Sequence, residues 1–364
     1  MQGSTVSHPE LGCYLLAGAP ESPRDLIDQV AEAERLGLGS AFLSERWNIK
    51  EAASLSGAAG AVSSSLQIVT AATNSNTRHP LVTASFATTM HRLTGGRFTL
   101  GLGRGAKVMY DMFGLPAITT AELEDFAGLM RRLWRGEAIV GHSGPAGDYR
   151  LLALDSSFDE DIPLGLVAFG PRTLDLAGRV FDTVVLHTFF TDETTRRCVD
   201  TVKSAAERVG RDPDAVKVWA CLATVGDHLS EVEQRRKMVG RLATYLQMYG
   251  DLMVHTNDWD PAVLRRFRED SLVAGFRGLL DGAASDEELA HVAELLPDEW
   301  LAPSATGTPA ECAAAVRAQF DLGVDGVILH GATPHQLGPV VKEYATTPPS
   351  AIAQAAEASK REIP

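Results

Sequence analysis

Two short segments carry residue types suited to holding an anion. The first is Gly101-Leu102-Gly103-Arg104-Gly105, at the end of an apolar run. Glycines let backbone approach a ligand closely, and Arg104 offers a planar fork of N–H donors that matches phosphate or carboxylate. A glycine cluster also simply turns a chain, and the segment taken alone fits both readings. The second is Gly170-Pro171-Arg172-Thr173, between an apolar run and a stretch of helical periodicity. The first N–H groups of a helix lack intrahelical partners, so a helix starting there, with Thr173 and Arg172 beside it, forms an anion site. Neither segment fits the dinucleotide pattern GxGxxG, and there is no GxxxxGK[ST] phosphate loop. His187 and His330 each close an apolar run; histidine shuttles protons near neutral pH, and at a strand end it is also an ordinary hydrogen-bonded structural residue. Trp47, Tyr110 and Phe113 are aromatic side chains able to pack on a ring or roof a site, with core packing the alternative. No spacing of His, Asp, Glu or Cys indicates a metal site, and no GxSxG or Cys/His pair indicates a nucleophile.

The elements that must position these groups alternate in texture. Near-continuous apolar runs lie at 12–17, 40–44, 66–72, 97–102, 162–168, 182–187, 216–224 and 324–330, eight in all. Such runs suit parallel strands covered on both faces. Helical periodicity separates them, at 25–36 (stopped by Gly37), 81–93 (opened by Pro80), 173–180, 193–209 and 309–322. Eight strands alternating with helices favour a closed (β/α)8 barrel over an open doubly wound sheet. In such a barrel the loops at the C-terminal strand ends carry the functional groups, which is where both anion segments and both histidines fall. Two stretches break the rhythm. Residues 136–160 are rich in Gly and Asp and read as a loop or hairpin excursion, and 229–296 reads as a helical insertion able to cover the barrel mouth. No internal repeat and no two-domain boundary is evident, so one domain over 1–364 is expected.

Composition narrows the function classes. With 45% hydrophobic and 22% charged residues the chain is ordinary globular protein, and its net charge of −14 argues against nucleic acid and anionic membrane as partners. An anionic small molecule stays compatible, because local arginines and backbone N–H groups act whatever the global sign. The N-terminus lacks a basic stretch followed by an apolar run, and no window of about 18 apolar residues occurs, so a cytoplasmic location is expected. Cys13, Cys198, Cys221 and Cys312 are far apart and form no CxxC, as expected of reduced thiols.

The stretch IVTAATNSNTRHPLVTASFATTMHRLTGGRFTLGLGRG resembles the signature region of the luciferase-like monooxygenase superfamily: a strand, a loop ending in His79-Pro80, a helix, then Leu93-Thr94-Gly95-Gly96-Arg97-Phe98 and the glycine loop. GPRTLDLAGRVFDTVVLH and GTPAECAAAVRAQFDLGVDGVILH resemble its later cofactor-phosphate segment and its last helix and strand. The likeness covers most of 11–337 and is least clear over 229–296. It implies a β/α barrel that binds coenzyme F420 or FMN at the C-terminal face, with Arg104, Gly105, Gly170, Pro171, Arg172 and Thr173 around the cofactor phosphate. It also implies a cis peptide at Ala71–Ala72, backing the cofactor ring. His79 takes a positioning role.

One departure bears on chemistry. The superfamily commonly has an acid followed by histidine at the end of the second strand; here the pair is Glu45-Arg46. Some deazaflavin enzymes place a glutamate after the glycine loop, where this chain has Ala106. Arg46 stays charged and donates protons poorly, yet it can stabilise an anionic ring or an acidic substrate. As an alternative, Glu45 and Arg46 pair with each other or with strand-end backbone. The expectation is therefore hydride transfer between F420 and a small organic substrate, with Glu45, Arg46 and His187 on the reacting side and Trp47, Tyr110 and His330 towards substrate. The alternative enzyme is an FMN-dependent monooxygenase fed by a partner reductase; the alternative of another class is a non-catalytic cofactor-binding protein. Homodimers are common among proteins of this kind.

Overall fold

The computed structural model describes residues 7–18, 20–46 and 50–347. Eight parallel strands form the barrel: β1 (His8–Tyr14), β2 (Leu38–Leu43), β3 (Gln67–Thr70), β4 (Phe98–Leu102), β5 (Leu164–Val167), β6 (Thr183–Val185), β7 (Lys217–Gly226) and β8 (Gly326–His330). Each pairs with the next, β8 pairs with β1 through Gly12 and Ile328, and β6 meets β7 through Val184 and Val218, so the ring closes. Closure leaves the ring of eight strands without an open edge. Each apolar run expected as a strand is one, although β1 begins at His8, four residues earlier than its apolar pattern.

The helices begin and stop for local reasons. In Pro80–Thr94, Pro80 occupies the first turn, where its missing N–H has no partner to lose; the His79 ring accepts from the Leu81 N–H, and Gly95 ends the helix at φ 63°. Thr119 and Glu122 form a reciprocal capping box at the start of Thr120–Trp134, which the sequence pattern had left without an assignment. The helix Pro171–Val180 begins at Gly170 with no side-chain cap.

Both excursions are present. Ile139–Gly144 and Gly147–Leu152 pair as an antiparallel hairpin. Between β7 and the short strand Ala305–Gly307 lies a helical insertion from Glu231 to Leu301, whose longest member is Arg241–Asn257. It has its own apolar cluster, including Leu242, Leu246, Phe267 and a Trp259–Trp300 stack with centroids 4.5 Å apart. That cluster takes in Phe189, after β6, and Ala223 and Val225 of β7, which anchors the insertion at the C-terminal ends of these strands. Asn257 reinforces the anchor: its amide donates to the Phe189 carbonyl at 3.0 Å and accepts from the Thr191 N–H at 3.2 Å. Inside the barrel, Tyr14, Phe42, Val69, Ala71, Val185, Cys221 and Ile328 pack together, so the lumen is a core and chemistry is left to the mouth. Among the described residues no helix is long and apolar enough to cross a membrane.

Candidate active site

The Ala71–Ala72 peptide at the end of β3 is cis. Tyr14 on β1 reaches across the lumen, its hydroxyl donating to the Ala71 carbonyl at 3.0 Å, and the Glu45 N–H donates to the Ala72 carbonyl at 3.1 Å. The chain after it turns against β4: Thr73 N–H donates to Gly101 and Gly103 N–H donates back to Thr73. This contact changes the meaning of the glycine loop. A Cβ at Gly101 would lie 1.8 Å from the Thr70 carbonyl oxygen, and one at Gly103 2.8 Å from the Ala72 methyl. Both glycines are therefore required by strand packing, not by ligand approach. Gly105, at φ +65°, is the loop glycine whose backbone conformation itself disfavours a side chain. Tyr110, expected towards substrate, lies beneath it instead: it is 3% exposed, and a Cβ on Gly105 would meet its hydroxyl at 2.6 Å.

Glu45 is committed to structure. Its carboxylate pairs with Arg78 and accepts from Thr73 Oγ1, with Asn74 Nδ2 at 3.3 Å. Arg78 also pairs with Glu51, so one guanidinium ties the β2 and β3 loops together. Neither alternative pairing expected for Glu45 and Arg46 occurs through their side chains: Glu45 holds Arg78, while Arg46 turns the other way, its guanidinium 3.8 Å from Asp281 in the insertion. The Arg46 backbone does pair, with Lys50 across the loop. Trp47 lies outside the described residues.

On the β4–β5 side lie the two segments expected to hold an anion. The Arg104 guanidinium is half-buried and donates to Thr120 Oγ1, but its Nε is buried without a hydrogen-bond partner among the described residues. Arg172 is exposed, Thr173 is buried, and the Arg172 N–H follows the uncapped Gly170 and Pro171 at the helix start. A buried orphan donor and an open helix start both await an acceptor.

The other side of the mouth is aromatic and cationic. His187 packs against Phe169 at 4.4 Å and Tyr245 at 4.5 Å, with Tyr249 at 5.4 Å. His330 lies against Tyr14 at 5.1 Å, and its Nε2 is 3.5 Å from the Tyr245 hydroxyl. Burial holds the His187 pKa down to about 4, the nearby Arg241 charge adding to it, and burial with Arg241 drives His330 well below its ordinary value. Both imidazoles are neutral at pH 7, so they can donate or accept hydrogen bonds but bring no charge. Lys50 is 3% exposed, its ammonium donating to the carbonyls of Leu16 at 2.9 Å and Gly18 at 3.3 Å. Leu16 sits at φ 53°, a costly conformation for a branched side chain, with its N–H held by Gln29 and its carbonyl by Lys50. Burial pulls the Lys50 pKa to about 7, helped by the charges of Arg46 and Arg241 and opposed by Asp281.

Lys50, Arg241, Tyr245, Tyr249 and Asp281 were not singled out from sequence. A signal existed: Arg241, Tyr245 and Tyr249 recur at intervals of four, one face of a helix, and Lys50 stands four residues after Arg46.

A closed β/α barrel with a helical cover and polar groups converging at the C-terminal strand ends is the architecture of a small-molecule enzyme. The family model for luciferase-like monooxygenases matches residues 1–326, and the chain belongs to that family. Among relatives, it is 25% identical over 320 residues to the 5,10-methylenetetrahydromethanopterin reductase of Methanolobus tindarius, covering 84% of this chain and 91% of that one. The solved coenzyme F420 dependent tetrahydromethanopterin reductase of Methanopyrus kandleri superposes with a TM-score of 0.77 at 19% identity, over 93% of this chain and 99% of that one. The oxygenating constituent of 3,6-diketocamphane monooxygenase from Pseudomonas putida, solved with FMN, superposes with a TM-score of 0.64 at 19% identity, over 93% and 98%. The chain is thus an enzyme of the luciferase-like family, built on the TIM-barrel fold.

Proposed function

We propose that this protein is a coenzyme F420-dependent oxidoreductase that transfers a hydride between the deazaflavin and a small organic substrate. The observation that carries the reading is the pairing of two features at the strand ends: an unsatisfied Arg104 Nε with an uncapped helix start at Gly170, and a buried aromatic cluster at His187, Tyr245 and Tyr249. The likeness to a reductase over 84% of the chain favours hydride transfer over oxygen activation.

In this reading Arg104, Gly105, Gly170, Pro171, Arg172 and Thr173 hold the cofactor phosphate, by charge-assisted bonds and free N–H groups. Ala71 and Ala72 back the ring. Bound there, the deazaflavin supplies the carbon that gives or takes the hydride. The chain does the rest. The helices of the insertion exclude water, which strengthens every polar contact beneath them. Hydride arriving at a carbon leaves charge that a proton must balance. Lys50, with its pKa drawn to about 7, can hold or release that proton near neutral pH. His187 and His330, both neutral, orient the substrate by hydrogen bonds.

Equilibrium titration with F420 and with FMN, separately, tests the proposal. Tight binding of F420 alone, with turnover of a donor–acceptor pair, is expected. Tight binding of FMN alone would move the chain to the monooxygenase reading, with a reductase as partner; binding without any turnover would make it a cofactor-binding protein.

A further inference from the structure

On the β8–β1–β2 side of the mouth, two arginines and a lysine gather around one carboxylate. Arg46 and Lys50 come from the loop after β2, Arg241 from the insertion, and the loop after β1 supplies the carbonyls that hold Lys50. Among the described residues, the carboxylate paired with both arginines is Asp281, 2.6 Å from Arg241 and 3.8 Å from Arg46. Lys237, one turn before Arg241, is balanced separately by Glu233. Arg241 is 4% exposed, and among the described residues its Nε is buried with no hydrogen-bond partner, as are His330 Nδ1 and both carboxylate oxygens of Asp281. The Arg46 side chain is 28% exposed, and 3.8 Å is too long for a hydrogen bond, so among the described residues its fork of donors is uncommitted towards Asp281. Glu45 and Glu51, the other carboxylates of the β2 loop, are both held by Arg78, and Asp281 closes on Arg241. The partly exposed Arg46 fork is therefore the group that a ligand carboxylate can pair.

We infer that Arg46 and Arg241 bind a carboxylate of the substrate, which makes the substrate an organic acid; the inference rests on the oxidoreductase reading above. A monoanionic carboxylate matches the single fork of Arg46, whereas a phosphate dianion carries more charge than that one guanidinium. The site is separate from the Arg104–Thr173 cradle. In a ring of eight strands β1 lies opposite β5, so one phosphate-sized group does not serve both. Arg46 is then a specificity determinant, a fixed cation set at the end of β2.

The test is calorimetric binding of hexanoate and benzoate, with hexanamide, benzamide and inorganic phosphate as controls. It is run on the full chain, free and saturated with F420, as wild type, Arg46→Gln and Arg46→Lys. Saturable carboxylate binding is expected, with the amides and phosphate at least about tenfold weaker. Arg46→Gln should lose about tenfold in carboxylate affinity and Arg46→Lys less, with F420 affinity unchanged in both. Equal binding of acids and amides overturns the inference, as does tighter binding of phosphate. So does a loss of F420 affinity in Arg46→Gln, which would assign Arg46 to the cofactor. Binding of F420 without any carboxylate overturns the inference and leaves the oxidoreductase reading standing. Carboxylate binding without any flavin or deazaflavin does the reverse.

Discussion

At the end of β2 two adjacent charges take different duties, and their surroundings decide which. Glu45 is enclosed by Arg78, Thr73 and Asn74, while Arg46 meets a carboxylate at 3.8 Å, beyond hydrogen-bond reach. Lys50 beyond them has a pKa near 7 when folded and an ordinary one near 10.5 when unfolded. Between these values the unfolded chain binds more protons than the folded one, so stability rises with pH across that window. From pH 7.5 to 9, wild type should gain about 1 kcal/mol per pH unit relative to Lys50→Met, read from urea midpoints. Parallel profiles for the two proteins would exclude a neutral Lys50. Arg104→Ala should weaken F420 binding by more than about 1 kcal/mol, because a charge-assisted bond to phosphate is lost. Unchanged affinity in the titration would remove Arg104 from the cradle.

Among the elements, the β3–β4 junction carries the tightest constraint. Gly101 meets the Thr70 carbonyl where a Cβ would come within 1.8 Å, and the Thr70 hydroxyl bonds both the N–H and the carbonyl of Gly101 at 2.8 Å. Neither partner is a flexible side-chain end, so Gly101→Ala must push two barrel strands apart. A loss of more than about 3 kcal/mol, or failure to fold, is expected in chemical denaturation. A midpoint within the error of wild type would show that the strands can yield. The eight strands and the two excursions were legible in the sequence because apolar runs, Gly, Pro and Asp report burial and turns locally. The helices Ala52–Val62 and Thr120–Trp134 were not singled out. Ala52–Val62 is rich in alanine and glycine, whose small side chains mark the buried face weakly.

For the whole molecule, the insertion and the barrel have distinct apolar clusters joined near Phe189 and β7. A defect in one cluster should therefore spread unevenly. Trp300 is fully buried and stacked on Trp259, so Trp300→Ala removes a large contact, worth about 3–5 kcal/mol in a core. Hydrogen exchange should then quicken over Arg241–Asn257 and Pro261–Glu269 while β1–β8 keep their protection. Uniform acceleration through the barrel would mean that the two clusters unfold as one unit.

The residue pattern alone determined the eight strands, the hairpin, the helical insertion and the two glycine-bearing segments, and it favoured a barrel whose closure the strand pairing decided. Each is written in local periodicity and composition, which a linear reading can detect. The tertiary structure decided the roles. It showed that Gly101 and Gly103 serve strand contact, that Tyr110 supports the glycine loop, and that Glu45 braces Arg78. It also brought Lys50, Arg241 and Asp281 to one place, from a β-loop and a distant insertion. Charge balance and pKa depend on distance and burial in space, and residues some 190 to 230 positions apart in a chain carry no local mark of their meeting.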